Sequence, residues 1–427
     1  MSDDRGSDPA DLRMRARAAE GCAESKLLLS RRSMLGVTAG LFSWACMPRY
    51  AHAAGSSDPR FLVVILRGGM DGLSTVAPYG EGSAYIEGRG ELYIPKSSLI
   101  PLKSGKFPDF FGLHPSLKTF GAMYAAGDAS IVHATCVPLW NRSHFDGQDN
   151  LENGMPGLVT GQSTGWLNRL LTKLPTGGTI RQGGAMEIGQ APLLLRGEAP
   201  VLGWTASTVP HVEDPTLYLI RSLYRQRDKQ LSAILENGLK AQRFAEGLGS
   251  DSDKLSELQK GFQGAGRLLA APNGPRIATL SVHGWDTHTN QGGVEGELAD
   301  RLAALDDGLA RFRVTIGDAW PQTVVMIVTE FGRMVANNGN DGSDHGVGTV
   351  ALLAGGAVDG GKIFAKWPGL APRYLYEKRD LRSTTDLRSV FKGVLREHLD
   401  VPDSVINSAI FPESGLVRPL TGLIKGA

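Results

Sequence analysis

Short unbroken apolar runs alternate along the chain with longer stretches whose apolar residues recur at helical spacing. Residues 61–66, 130–134, 277–282, 324–328 and 350–354 are the runs of strand length. The first, Phe61-Leu62-Val63-Val64-Ile65-Leu66, has no polar alternation and predicts a central parallel strand buried on both faces. Helices are predicted where Leu117, Phe120, Met123 and Tyr124 share a face, opened by His114-Pro115-Ser116, and at 164–174, 214–244, 253–269 and 386–399. The stretch 295–312 carries Leu298, Leu302, Leu305, Leu309 and Phe312 on one face. It reads as the crossover between two parallel strands, and the right-handed rule for such units puts both strand ends on one edge. Residues 80–112, rich in Gly, Pro and Lys, read as a surface excursion, and 177–212 as mixed, with brief strands around Met186 and Leu193. The class is α/β: a mostly parallel central sheet sandwiched by helices, with a helical insertion over about 213–270 at the sheet edge.

The polar residues that interrupt this pattern are not scattered. The run ending at Val282 breaks into His-Gly-Trp-Asp-Thr-His, which holds Asp286 and His288, and the run ending at Val328 into Thr-Glu-Phe-Gly-Arg, which holds Glu330 and Arg333. Asp344 and His345 follow in Asp-Gly-Ser-Asp-His-Gly. Ligands of α/β sheets collect at the carboxyl ends of strands, and carboxylates mixed with imidazoles are the donors of hard and borderline divalent metals. The first strand runs into Arg67-Gly68-Gly69-Met70-Asp71-Gly72, a glycine turn that lacks the spacing of a dinucleotide site and in which Asp71 is a ligand or a hydrogen-bond acceptor. In Asn141-Arg142-Ser143-His144-Phe145-Asp146, Ser143 stands at a helix start, a place for a nucleophile, an anion or a plain cap. His144 and Asp146 add ligand or base capacity there.

Composition narrows the picture further. A formal charge of +1 over 427 residues gives no reason to expect nucleic acid as partner. No apolar run reaches the roughly 18 residues of a spanning helix. The amino terminus, Ser30-Arg31-Arg32-Ser33-Met34-Leu35 followed by a mild apolar run and Ala51-His52-Ala53, resembles a twin-arginine signal cleaved after Ala53. That implies an encounter with the Tat translocase, a periplasmic or secreted protein, and residues 54–427 as one α/β domain. Of three cysteines only Cys136 then remains, so no intrachain disulfide is expected.

Gly-Gly-Met-Asp-Gly, Arg-Ser-His-Phe-Asp, Gly-Trp-Asp-Thr-His, Thr-Glu-Phe-Gly-Arg and Asp-His-Gly, in that order, resemble the DUF1501 family of exported bacterial proteins, itself similar in fold to the alkaline phosphatase and sulfatase superfamily. The resemblance implies a metal-dependent hydrolase of phosphate or sulfate esters, with a small-molecule or glycan ester as substrate and one or two zinc, calcium or manganese ions. It implies Asp286, His288 and His345 around one ion, with Asp344 alongside, and Glu330, Asp71 and Ser143 around a second. Ser143 would attack, and Arg333 or Arg142 would hold the oxyanion. The chain departs from the superfamily at Phe331, where a ligand is usual, and it has no Cys-x-Pro-x-Arg for formylglycine formation. A non-catalytic envelope protein that keeps the fold and a structural metal is the alternative.

Overall fold

The computed structural model describes residues 58–426, apart from 159–162, 175–184, 189–192, 200, 205–213, 230, 233–234, 237–254 and 273. The signal reading, its Ala53 boundary and most of the second half of the expected 214–244 helix lie outside the described residues.

Twelve strands are described: β1 Arg60–Arg67, β2 Val76–Ala77, β3 Ile100–Pro101, β4 Gly112–Leu113, β5 Ala129–Cys136, β6 Ala185–Ile188, β7 Val201–Trp204, β8 Ile277–His283, β9 Thr323–Val328, β10 Thr349–Ala354, β11 Lys362–Phe364 and β12 Thr385–Asp386. Nine form one sheet in the order β11-β5-β10-β9-β1-β8-β6-β7, with β12 beside β5. Every strand of it runs the same way except β10, which is antiparallel to both β9 and β5. β1 lies at the centre, paired in parallel with β8 and β9. The crossover helix Glu297–Ile316 thus joins two parallel strands with β1 between them.

The sandwich follows from the alternation of side chains along buried strands. Phe61, Val63 and Ile65 enter one core with the helices Trp166–Lys173 and Leu387–Leu399, while Leu62, Val64 and Leu66 enter the other with Lys118–Ala126, Glu257–Ala270 and Glu297–Ile316. The apolar face read from the sequence of the crossover helix, Leu298 to Phe312, is buried throughout.

Four local expectations are corrected. The helix expected from His114 starts at Lys118, because Ser116 N–H donates to His114 Nδ1 and closes a turn first. Its first donors, the amides of Thr119 and Phe120, are capped by Asp306 of the crossover helix at 2.7 and 2.9 Å. Leu193–Leu195 is a 3-10 turn, and the strand comes later as β7. Residues 80–112 are no mere surface excursion: they contain β3, pair it with β4, and bury Tyr85, Arg89, Leu92 and Ile94. The Glu257–Ala270 helix is part of the layer on the sheet, its Phe262, Ala265 and Leu269 entering the core, and not an appendage at the edge.

Candidate metal centre

Because β10 runs against its neighbours, its amino end meets the carboxyl ends of β1, β5, β8 and β9 on one edge. The loops leaving those ends carry His144, Asp286 with His288, and Glu330, and the loop entering β10 carries Asp344 and His345. Close approach of the loops needs glycine: Gly68 has φ +127°, and a Cβ there would lie 2.5 Å from the Asp286 nitrogen.

Four side-chain atoms converge at this edge. His144 Nε2, His345 Nε2 and Asp286 Oδ1 form a triangle with sides of 2.9, 3.0 and 3.3 Å. His288 Nε2 closes a second triangle on the His345–Asp286 side, 3.0 Å from each. The far ring nitrogens are all engaged: Nδ1 of His144 with the Glu330 carboxylate (2.8 Å), of His288 with Asp344 (3.1 Å), and of His345 with the Arg142 carbonyl oxygen (2.9 Å). A carbonyl or carboxylate oxygen only accepts, so each Nδ1 donates, and in the neutral tautomer this leaves the Nε2 lone pair turned inward as a metal ligand requires. Three lone pairs and a carboxylate oxygen facing one another repel unless something positive lies among them. A tetrahedral ion with bonds of about 2.0–2.1 Å has ligand–ligand edges of about 3.3–3.4 Å, close to the sides of the His144–His345–Asp286 triangle. Imidazoles oriented through Nδ1 by carboxylates and a carbonyl are the usual outer support of a metal ligand. The donor set therefore fits a divalent ion, held by His144, His345 and Asp286 with His288 alongside. Three nitrogens suit zinc better than calcium, which takes oxygen ligands.

Burial and charge act together here. Burial opposes ionisation of Asp286, but Arg333 beside it and the neighbouring imidazoles bring its carboxyl down to about 2. Buried Glu330 likewise stays below the ordinary range, because His144, Gln148 and the Gly68 amide all donate to it. The hydrogen bond to Glu330 raises His144, whereas burial, with His144 and Arg333 nearby, lowers His345. Phe331 gives no ligand; its ring packs 4.8 Å from that of His144 and 5.2 Å from that of His345.

Several candidates read from the sequence take other roles. Asp71 is fully buried, paired with Arg89 and bonded by Gln291 (2.6 Å) and Ser74, so it is no ligand. Glu330 orients His144, and Ser143 Oγ caps the His144–Asn153 helix by accepting from the Asp146 amide. Glu330, Asp71 and Ser143 thus do not enclose a second ion. Asp146 accepts from Asn141, and Asp344 supports His288. Neither arginine is free for an oxyanion: Arg142 pairs with Asp380 and Glu377, and Arg333 is buried against four carbonyls and Asp286. Gln148, Gln291, Asn338 and the Arg142 carbonyl were missed. Neutral amides have no distinctive spacing, and only their position beside the ligand motifs could have drawn attention to them.

A family profile described as "Protein of unknown function (DUF1501)" matches residues 58–410. No curated protein matches the chain by sequence. Among solved structures it is similar to a protein in the alkaline phosphatase superfamily from Vibrio parahaemolyticus (TM-score 0.37, 11% identity, covering 80% of this chain and 72% of that one). It is similar also to a lipoteichoic acid synthase from Listeria monocytogenes (0.36, 9%, 88% and 80%) and to a phosphonate monoester hydrolase of Agrobacterium radiobacter (0.32, 11%, 74% and 72%).

Proposed function

The chain belongs to the DUF1501 family, whose function is unknown, and on that premise we propose that it is a metal-dependent hydrolase of phosphate or sulfate esters acting after export. The observation that carries the reading is the convergence of three imidazole nitrogens on one carboxylate oxygen at an open sheet edge. His144, His345 and Asp286, with His288, would hold a single divalent ion, zinc by the chemistry of the donors. Bound there, such an ion supplies Lewis acidity and lowers the pKa of an attacking oxygen.

The chain's own groups do the rest. Glu330, Asp344 and the Arg142 carbonyl hold the imidazoles in one tautomer and orientation. Arg333 keeps Asp286 ionised and aimed. Ser143 sits at a helix amino terminus, where main-chain amides favour negative charge. Its oxygen accepts one capping bond and still has a proton to lose, which makes it the candidate nucleophile.

The rival, a non-catalytic envelope protein with a structural metal, draws support from the sequestration of Arg142 and Arg333. Exposure favours the enzyme: the Asp286 and His288 side chains are 42% and 40% exposed, and structural sites are closed whereas catalytic ones keep a position open.

The test is elemental analysis of the chain from Ala54, with hydrolysis assays on aryl phosphate, phosphonate and sulfate esters. One divalent ion per chain is expected, lost in Asp286→Ala, with turnover falling by roughly two orders of magnitude or more in Asp286→Ala and Ser143→Ala. A stoichiometric ion with no turnover on any ester would leave the rival standing.

A further inference from the structure

Asp71 stands in one of the sequence motifs, yet it coordinates nothing. Its carboxylate is nevertheless held by an elaborate set of donors: Arg89, the hydroxyl of Ser74 at 3.1 Å, the amides of Leu73 (2.9 Å) and Ser74 (3.3 Å), and Gln291 Nε2 at 2.6 Å. Gln291 is itself fully buried. A carboxylate only accepts, so the amide nitrogen of Gln291 must face Asp71 and its oxygen must face away. That oxygen accepts from Thr287 Oγ1 at 2.9 Å and from Ser343 Oγ. Thr287 lies between Asp286 and His288, and Ser343 immediately precedes Asp344 and His345.

One side-chain amide thus ties together the two loops that supply Asp286, His288 and His345. Other bonds also join those loops: Asn338 Nδ2 donates to the His288 carbonyl at 2.8 Å, His288 Nδ1 meets Asp344 at 3.1 Å, and the Asn290 and Gly292 amides donate to the Asn340 and Asp341 carbonyls. The Ser343 amide donates to the Thr287 carbonyl at 3.2 Å, and Arg333 bridges Ser343 O and Trp285 O. The hub rests on a rigid base, because Asp71 and Arg89 are wholly buried and the Arg89 guanidinium also donates to the Val335 carbonyl at 2.9 Å. Among the described residues no other side chain bonds to the Asp71–Arg89 base and to both loops. Groups that orient ligands from outside typically change metal affinity ten- to a hundredfold when removed.

We propose that Gln291 is the positioning residue of the metal centre: through Thr287 and Ser343 it sets the separation of the Asp286/His288 and Asp344/His345 loops against the fixed Asp71–Arg89 pair. This rests on the metal reading above. Gln291 touches neither ion nor substrate, and it acts by holding His288 and His345 at the spacing a single ion needs. Methionine at this position keeps the bulk and removes the amide. Glutamate keeps an oxygen toward Thr287 and Ser343 but sets a second carboxylate against Asp71, so it does not substitute.

The test is zinc affinity of the mature chain, measured by competition with a chromophoric chelator, for wild type, Gln291→Met, Gln291→Glu, Thr287→Val and Ser343→Ala. Nitrogen-15 spectra of the labelled histidines, recorded without metal, report ring position independently. Gln291→Met is expected to weaken zinc binding roughly ten- to a hundredfold and to shift the His288 and His345 signals. Thr287→Val and Ser343→Ala are each expected to lose less, and together to approach Gln291→Met; they decide the matter if Gln291→Met does not fold. Unchanged affinity and unchanged histidine signals in Gln291→Met, or in the double variant, overturn the proposal. A wild type that binds no zinc, with histidine signals that still move in the variants, removes the metal reading and leaves the positioning role in place.

Discussion

Arg333 commits its guanidinium to the carbonyls of Gly68, Gly69, Trp285 and Ser343 and to the carboxylate of Asp286, at 2.5 to 3.0 Å. These groups come from the loops after β1 and β8 and from the loop before β10, so one planar fork ties two ligand-bearing loops to the glycine turn after β1. Lysine has no such fork. Arg333→Lys and Arg333→Met are therefore both expected to destabilise the chain, by about 1–3 kcal/mol or more, because buried carbonyls lose their donor. Urea unfolding of the metal-free variants measures this. A loss under about 1 kcal/mol in Arg333→Met, the range of a surface pair, would show that the fork holds nothing. The sequence marked Arg333 as chemical because it ends Thr-Glu-Phe-Gly-Arg, but its burial against carbonyls is a tertiary fact. The same holds for Asp71, whose residue type suits a ligand while its partner Arg89 comes from a segment read as surface.

Strands and helices were the more legible scale, because period and length are local properties. The two-sided burial of β1 and the apolar stripe of Glu297–Ile316 were plain in the pattern. Ends were less so. The Lys118–Ala126 helix has no capping side chain at Leu117, and its first amides take Asp306 as acceptor from a helix far along the chain. Asp306→Ala should cost about 1–2 kcal/mol, in the range of a lost cap, and Asp306→Asn should recover most of it. Denaturation midpoints decide this, and equal midpoints for Ala and wild type would mean that solvent caps the helix equally well. β5 is irregular for a similar reason. Ala134 takes φ +54° at a register shift against β10, an extra residue that no apolar pattern announces.

Across the whole molecule, one buried histidine away from the metal centre links stability to pH. His133 on β5 is wholly enclosed, stacked on Phe111, with Nε2 on the Val76 carbonyl and Nδ1 accepting from the Ala134 amide. Protonation would set a second donor against that amide, and burial lowers the folded pKa from 6.5 to about 4. The unfolded chain therefore binds a proton between about pH 6.5 and 4 that the native chain refuses. Stability from this group is complete above pH 6.5 and falls as pH drops through that window, by about 3 kcal/mol at pH 4. His133→Gln should flatten the fall by about 2–2.5 kcal/mol when unfolding free energies at pH 7 and pH 4.5 are compared. An identical slope in wild type and variant would mean that His133 is already charged in the native state. Among the described residues no helix is long and apolar enough to cross a membrane.

By itself the sequence determined the class of fold, the strands that meet at the centre and the residue types at their ends, because each depends on neighbours a few positions away. Asp286, His288 and His345 could be named from the chain for that reason. Which donors share a point was decided only by the tertiary structure. The reversal of β10 brings His345 to the edge where β5 delivers His144, and the buried pair Asp71–Arg89, with the buried Arg333 guanidinium on Asp286, holds the loops in place. A reversed strand and an ion pair are settled by contacts between segments well beyond a helical turn or a strand, 18 residues apart for Asp71–Arg89 and 47 for Asp286–Arg333, and no local pattern of apolar and polar positions encodes them.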